Sequence, residues 1–242
     1  MQFYFIRHGQ SENNLLWART NSNAGRSEDA GLTSIGRQQA QKVAQFLSRA
    51  DPAATGNHRD RDIQNVAGFG ITHLYTSLMI RAVATGFAIA QALGLPLVAW
   101  KDFHETGGIF LADEETGEPV GLPGKNRAYF EAHYPDLVLP ESLGGDGWWN
   151  RAVETHEERP LRARRVLCDL LERHGGTADR VAVVSHGGFF NHLLRAVLNL
   201  PKDNAPWLYM NNAAVTRIDF DVDGVALCYM NRVDFLPGEL IT

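Results

Sequence analysis

The chain has only two cysteines in 242 residues, Cys168 and Cys228, and they form no CxxC pair. That spacing excludes a disulfide scaffold and a thiolate metal knuckle, and both thiols are expected to be reduced core residues. No apolar run approaches the roughly 20 residues needed to span a bilayer. Charge begins at Arg7, with no signal-peptide core ahead of it, so a cytoplasmic protein without a membrane partner is expected. Positive charge is not in excess: 23 Lys and Arg face 28 Asp and Glu, for a net charge of −5. That balance argues against a nucleic-acid partner, and any basic groups that matter must be concentrated in a pocket. Nine histidines are present, yet none has the HExxH or comparable spacing of a metal centre. No catalytic metal and no cofactor are therefore expected. Internal repeats and low-complexity tracts are also missing.

What is present is an alternation of short apolar runs and helical patterns. Residues 2–6 read as a strand. A helix follows from Thr33, an N-cap, to about Arg49, with Ala40, Val43, Ala44 and Leu47 at helical spacing. Residues 71–76 read as a second strand, 79–93 as a helix ending at Gly94, and 97–100 as a third strand. Residues 181–184 form an almost wholly apolar fourth strand, as a central parallel strand should be. A helix over 189–198 follows, then a hairpin pairing 214–220 with 225–230. Strands alternating with helices predict an α/β fold, a doubly wound, mostly parallel sheet with helices on both faces. Residues 51–68 read as an exposed loop or insertion. Residues 101–147 lose periodicity and read as a cap insertion on a single domain. A long helical region is expected over 148–174, with a break at Pro160. Trp148 and Trp149 are expected to pack the cap on the core, with substrate stacking as the alternative.

The tripeptide Arg7-His8-Gly9 sits directly behind the first strand. Open α/β sheets bind ligands at the carboxyl ends of their strands. A second copy, Arg173-His174-Gly175, ends an amphipathic helical run and reads as an ordinary helix C-terminus. His186 again follows a strand, in Ser185-His186-Gly187-Gly188. Arg81 falls in the first turn of a helix, where the macrodipole disfavours a cation unless an anion is present to use it.

The block Arg7-His8-Gly9-Gln10-Ser11-Glu12-Asn13-Asn14, the Arg81 segment and the His186 segment, in this order, resemble the histidine phosphatase superfamily, with its phosphoglycerate-mutase-like fold. The resemblance implies a metal-independent phosphatase that hydrolyses phosphomonoesters of small metabolites through a covalent phosphohistidine. His8 would be the nucleophile, with its second ring nitrogen bonded to a carbonyl. Arg7, Arg81 and His186 would hold the phosphoryl oxygens. The acid is expected after the third strand, where Glu105 is preferred to Asp102; like charge from a bound phosphate would keep Glu105 protonated. Asn14, a loop residue Thr20 and Asn212 are candidates for further substrate contacts, and Lys125 and Arg127 are candidate cap cations. A turn-forming role remains the alternative for Asn212, an ordinary loop position for Thr20, and a solvated role for Lys125 and Arg127. Leu32-Thr33-Ser34-Ile35-Gly36-Arg37-Gln38-Gln39-Ala40 matches a family helix and reads as structural. Leu78 stands where the family often has proline. A phosphoglycerate-type mutase is disfavoured because Thr106 follows Glu105 where family mutases carry arginine. A non-catalytic phospho-ligand-binding protein on the same fold is the other alternative. Gly121-Leu122-Pro123-Gly124-Lys125 fails as a nucleotide-phosphate loop, since Pro119 replaces its first glycine and Asn126 its Ser or Thr. Exposed cap aromatics would suit a homodimer.

Overall fold

The computed structural model describes residues 1–51, 62–201 and 206–242. The first strand, β1 (Gln2–Arg7), is buried on both faces. Alternation sends Phe3 and Phe5 to one core and Tyr4 and Ile6 to the other. Its parallel neighbour β7 (Arg180–Ser185) does the same with Val181 and Val183 against Ala182 and Val184. Next to β7 lies β2 (His73–Thr76), then β3 (Leu97–Ala99), both parallel. On the other flank β8 (Val215–Asp221) runs antiparallel to β1 and forms a hairpin with β9 (Gly224–Arg232).

Two helices cover each face. α2 (Ser34–Leu47) and α3 (Ile80–Leu93) pack Val43, Leu47, Ala82 and Val83 on the Tyr4 side. α5 (Glu158–His174) and α6 (Gly187–Val197) pack Val166, Leu170, Phe189 and Phe190 on the Phe3 side. The expected doubly wound, mostly parallel sheet is the fold observed. Thr33 caps α2 by accepting the Gly36 N–H at 2.9 Å, as its position in the sequence predicts.

Several local expectations are corrected. Residues Glu12–Thr20, of which Thr20 was expected on a loop, form a helix, α1. None of its side chains is fully buried, so it carries no core stripe to read. Its start is marked by Ser11 and Asn14, which cap each other reciprocally. The expected helix over 148–174 begins only at Glu158. Pro160 therefore falls in the first turn, where its missing N–H has no intrahelical partner to lose, and no break occurs.

The segment 101–147 is more ordered than its composition suggests. It holds a 3-10 turn at Lys101–Phe103, a hairpin of β4 (Phe110–Ala112) and β5 (Pro119–Gly121), and α4 (Arg127–His133). It then contributes β6 (Leu137–Val138), which pairs in parallel with β3 and forms the edge of the main sheet. Two residues are too few to give a readable alternation. Cys168 lies on the outer side of α5 and is exposed, and Cys228 is half-buried, so neither is a core residue. Trp148 and Trp149 are buried, and no aromatic residue between 101 and 149 is exposed, which removes the cap surface invoked for a dimer. Most of the loop expected at 51–68, residues 52–61, lies outside the described residues. Among the described residues no helix is long and apolar enough to cross a membrane.

Candidate active site

Four neighbouring strands end at one crevice: β1 delivers His8, β2 Ser77, β7 His186, and β3 the turn that leads to Glu105. Arg7, the last residue of β1, and Arg81, at the start of α3, complete the group. The His8 and His186 ring centroids are 5.0 Å apart.

His8 is 2% exposed. Its Nδ1 lies 2.6 Å from the carbonyl oxygen of Gly9, which only accepts, so the ring proton belongs on Nδ1. Nε2 is left with its lone pair, onto which Arg81 donates from Nε at 3.1 Å. Burial, then the charges of Arg81 and Arg7, hold the His8 imidazole well below its usual pKa and therefore neutral. His186 is fully buried and neutral for the same reasons, burial first and Arg81 next. Its Nε2 lies 2.9 Å from the Ser77 hydroxyl, which also accepts the Met79 N–H. When Ser77 donates its own proton to Nε2, the His186 ring carries N–H at Nδ1. That atom is buried and has no partner among the described residues.

The cations are short of partners too. Arg7 donates to the Met210 carbonyl, but its Nε is buried and unpaired. Burial lowers its pKa to about 10, with Glu105 opposing the shift. Arg81 reaches Asp29 at 3.8 Å. Asp29 is buried, accepts the Ile80 N–H at 3.1 Å, and is pushed up to about 6 by desolvation despite the facing arginine. Arg26 feels both Arg81 and Glu105, stacks 4.6 Å over the Phe110 ring, and has an unpaired buried Nε.

Glu105 is held by backbone donors. Its Oε1 accepts from Thr106 at 2.7 Å and Phe189 at 2.8 Å, and its Oε2 accepts from Gly188 at 3.0 Å. A Cβ on Gly188 would collide with this carboxylate. One lone pair on Oε2 is left for a proton. Behind the loop, Arg162 forks onto Glu154 at 2.5 and 2.8 Å and also donates to the carbonyls of Asp102 and His104. That buried pair ties α5 to the turn carrying Glu105. Asp102 itself faces Arg165 at 3.8 Å.

The glycine of the first motif has a packing reason. A Cβ on Gly9 would run into the Gly36 carbonyl, and one on Gly36 into the Gln10 carbonyl. The Leu32–Ala40 segment thus closes on the first motif backbone to backbone, and Gln39 accepts the Gln10 N–H at 2.7 Å.

The other candidates divide. Asn212 is buried and donates to both the His8 carbonyl and Asn14 Oδ1 at 3.1 Å, so it sits behind the histidine. Asn14 uses Oδ1 for Ser11 and Asn212. Thr20 ends α1, is exposed, and turns its hydroxyl onto the Leu16 carbonyl at 2.7 Å, away from the expected loop position. Arg127 is spent on the carbonyls of Leu143 and Pro140 and on Glu131, so it is not brought to the crevice. Lys125 lies 4.0 Å from Glu28, beside the Arg26–Asp29 segment. Sequence reasoning missed Arg26, Asp29, Ser77 and the Arg162–Glu154 pair. Only Ser77, at a strand end inside the Arg81 segment, carried a local signal.

Comparison with known proteins gives the family. The family model of the histidine phosphatase superfamily (branch 1) matches residues 3–56 and 61–233. A probable phosphatase of Schizosaccharomyces pombe is 26% identical over 243 residues, covering 96% of this chain and 70% of that protein. A probable phosphoglycerate mutase GpmB of Yersinia enterocolitica is 26% identical over 228 residues, covering 91% and 85%. Among solved structures, a mycobacterial glucosyl-3-phosphoglycerate phosphatase complexed with VO3 superposes with a TM-score of 0.60 at 21% identity, covering 96% of this chain and 99% of that one. Phosphoserine phosphatase from Entamoeba histolytica gives 0.59 at 19%, covering 98% and 99%. With the family model spanning nearly the whole chain and the strand-end residues in one crevice, this chain belongs to the histidine phosphatase superfamily, branch 1.

Proposed function

We propose that the protein hydrolyses phosphomonoesters of small metabolites through a phosphohistidine on His8. The observation that carries this reading is the state of His8: Nδ1 bonded to a carbonyl, Nε2 unprotonated with its lone pair held by Arg81, and the charges of Arg81 and Arg7 beside it. Such a site suits an anion.

A phosphoryl group entering the crevice takes the donors left idle: Arg7 Nε, His186 Nδ1 and the Arg81 guanidinium. Arg81 moves its Nε–H from His8 to a phosphoryl oxygen, which frees the Nε2 lone pair. Nε2 then attacks phosphorus in line, the ester P–O bond breaks, and the leaving oxygen takes a proton from Glu105. In the second half, water gives its proton to the Glu105 carboxylate and attacks phosphorus. The P–N bond breaks, returning neutral His8 and inorganic phosphate. Asn212 and Asn14 act as positioning residues through their bond to each other and to the His8 carbonyl. Arg26 and Lys125, on the segments that flank the crevice, suit a second anionic group on the metabolite. We read residues 101–147 as a cap on a single domain, supported by the burial of Trp148 and Trp149 beneath it.

Hydrolysis of a phosphomonoester panel by wild type and His8→Ala, with chelator present throughout, tests the reading. Wild-type turnover that disappears in the variant, with a phosphohistidine trapped in wild type, supports it; turnover that survives His8→Ala sinks it. Mutase relatives keep a second reading alive, and the same panel separates it: a mutase returns an isomeric phosphoester instead of inorganic phosphate.

A further inference from the structure

The second Arg-His-Gly tripeptide brings a histidine to the opposite end of the sheet. His174 ends α5, His73 opens β2, and Asp179 immediately precedes β7. One ligand atom from each lies within 4.8 Å of the other two. His174 Nδ1 is 2.8 Å from Asp179 Oδ2, and His73 Nδ1 is 4.0 Å from Asp179 Oδ1. The second separation is too long for a hydrogen bond. A tetrahedral ion with bonds of about 2.0–2.1 Å keeps its ligand atoms roughly 3.3 Å apart, between these two values.

The surroundings fit a cation. Among the described residues no lysine or arginine pairs with Asp179; its ion-pair partners are the two imidazoles. The His73 side chain is 42% exposed and that of Asp179 28%, so an ion can enter, while His174 is fixed at 4%. The buried Tyr75 hydroxyl lies 3.0 Å from His174 Nε2 and can accept its N–H. That outer contact holds the ring with Nδ1 toward Asp179, the arrangement metal-bound imidazoles use. Thr72 Oγ1, 2.9 Å from His73 Nδ1, adds an oxygen at the rim.

We propose that His73, His174 and Asp179 form a binding site for one divalent cation, zinc by the preference of imidazole with a single carboxylate, and that the ion staples α5, β2 and the approach to β7 together. Three protein ligands leave a fourth position for water. The proposal is independent of the phosphatase reading, since this site lies at the amino end of the sheet and no step at His8 uses it.

The test is zinc titration of chelator-stripped full-length protein by calorimetry, with thermal melting alongside. Wild type, His73→Ala, Asp179→Asn and His8→Ala are compared. The expected result is one saturable site in wild type and in His8→Ala, lost in His73→Ala and Asp179→Asn. A rise in Tm of several degrees is expected at about a hundredfold excess over Kd, absent from those two variants. Cobalt in place of zinc should give the intense visible bands of a tetrahedral ion. Turnover of His73→Ala should stay within about twofold of wild type. No saturable uptake by wild type overturns the proposal. So does uptake that survives both His73→Ala and Asp179→Asn, or uptake lost in His8→Ala, which would put the ion on the His8–His186 pair. Should His73→Ala fail to fold, the near-isosteric Asp179→Asn decides alone.

Discussion

The two ends of the sheet carry the same raw material and use it in opposite ways. Each has an Arg-His-Gly tripeptide and a pair of histidine rings, with centroids 5.0 Å apart at the carboxyl end and 4.7 Å at the amino end. At the carboxyl end the rings are sealed among arginines, held neutral, and left with idle donors. At the amino end they share one aspartate and half of the group is open to water. The first arrangement attracts anions and the second cations. Three identical residues therefore say little about chemistry until the element they terminate is known: a parallel strand aims them into a crevice, and a helix end aims them at whatever closes the base of the fold.

The largest effect should separate the two tripeptides. His8→Ala is expected to lower phosphatase turnover by at least ~10⁴-fold, the scale seen when a covalent nucleophile is removed. His174→Gln should keep turnover within about twofold and instead lower the urea midpoint. Equal losses in initial-rate assays would break the contrast.

Next comes the support of the carboxyl end. Arg162 and Glu154 are both nearly fully buried, so Arg162→Met leaves an unpaired carboxylate and frees the turn behind Glu105. A loss of about 3–5 kcal/mol in denaturant unfolding is expected. Normal stability would mean the pair is solvated in solution.

Acid should act through the carboxyl end as well. His8, His104 and His186 sit well below the ordinary 6.5 when folded, so the unfolded chain binds more protons than the native one once pH falls below about 6.5. Stability then drops on acidification by up to ~1.4 kcal/mol per pH unit for each histidine. Asp29 works against this trend. Raised from 3.8 to about 6, it binds its proton more readily when folded, which offsets one histidine between those values. Urea midpoints measured from pH 7 down to pH 5 should fall steadily; a flat profile would show that the histidines are not held neutral.

The smallest effect sharpens the anion side. Asp29→Asn removes the carboxylate 3.8 Å from Arg81 while keeping an acceptor for the Ile80 N–H. A fall of about tenfold in kcat/KM, equivalent to ~1.4 kcal/mol, is expected from initial rates. No change would mean that Arg81 is positioned by Met79 and His8 alone.

What could be read from sequence follows the same contrast. His8, Arg81 and His186 were legible because each sits where a strand meets a helix or turn, and an apolar run marks the junction. Glu105 was legible only through resemblance. Asp29, Arg26 and the Arg162–Glu154 pair were not legible, because their partners are distant in sequence and nothing periodic surrounds them. In the fold, the buried strands announced themselves. α1 did not, since it buries none of its residues fully, and β6 did not, since two residues form no pattern. The tryptophans were read correctly as packing, and the cysteines were misread as core because burial depends on which side of α5 or β9 faces out.

The little strand β6 has a bearing on how this protein can be re-engineered. The segment 101–147 is attractive as an exchangeable cassette, cut out after β3 and replaced by a relative's. Here the cut would remove Leu137 and Val138, the outermost rung beside β3, and leave that strand's polar groups open along one side. A graft that keeps its host soluble must therefore bring its own edge strand in matching register, or else stop at residue 136 and preserve the native one.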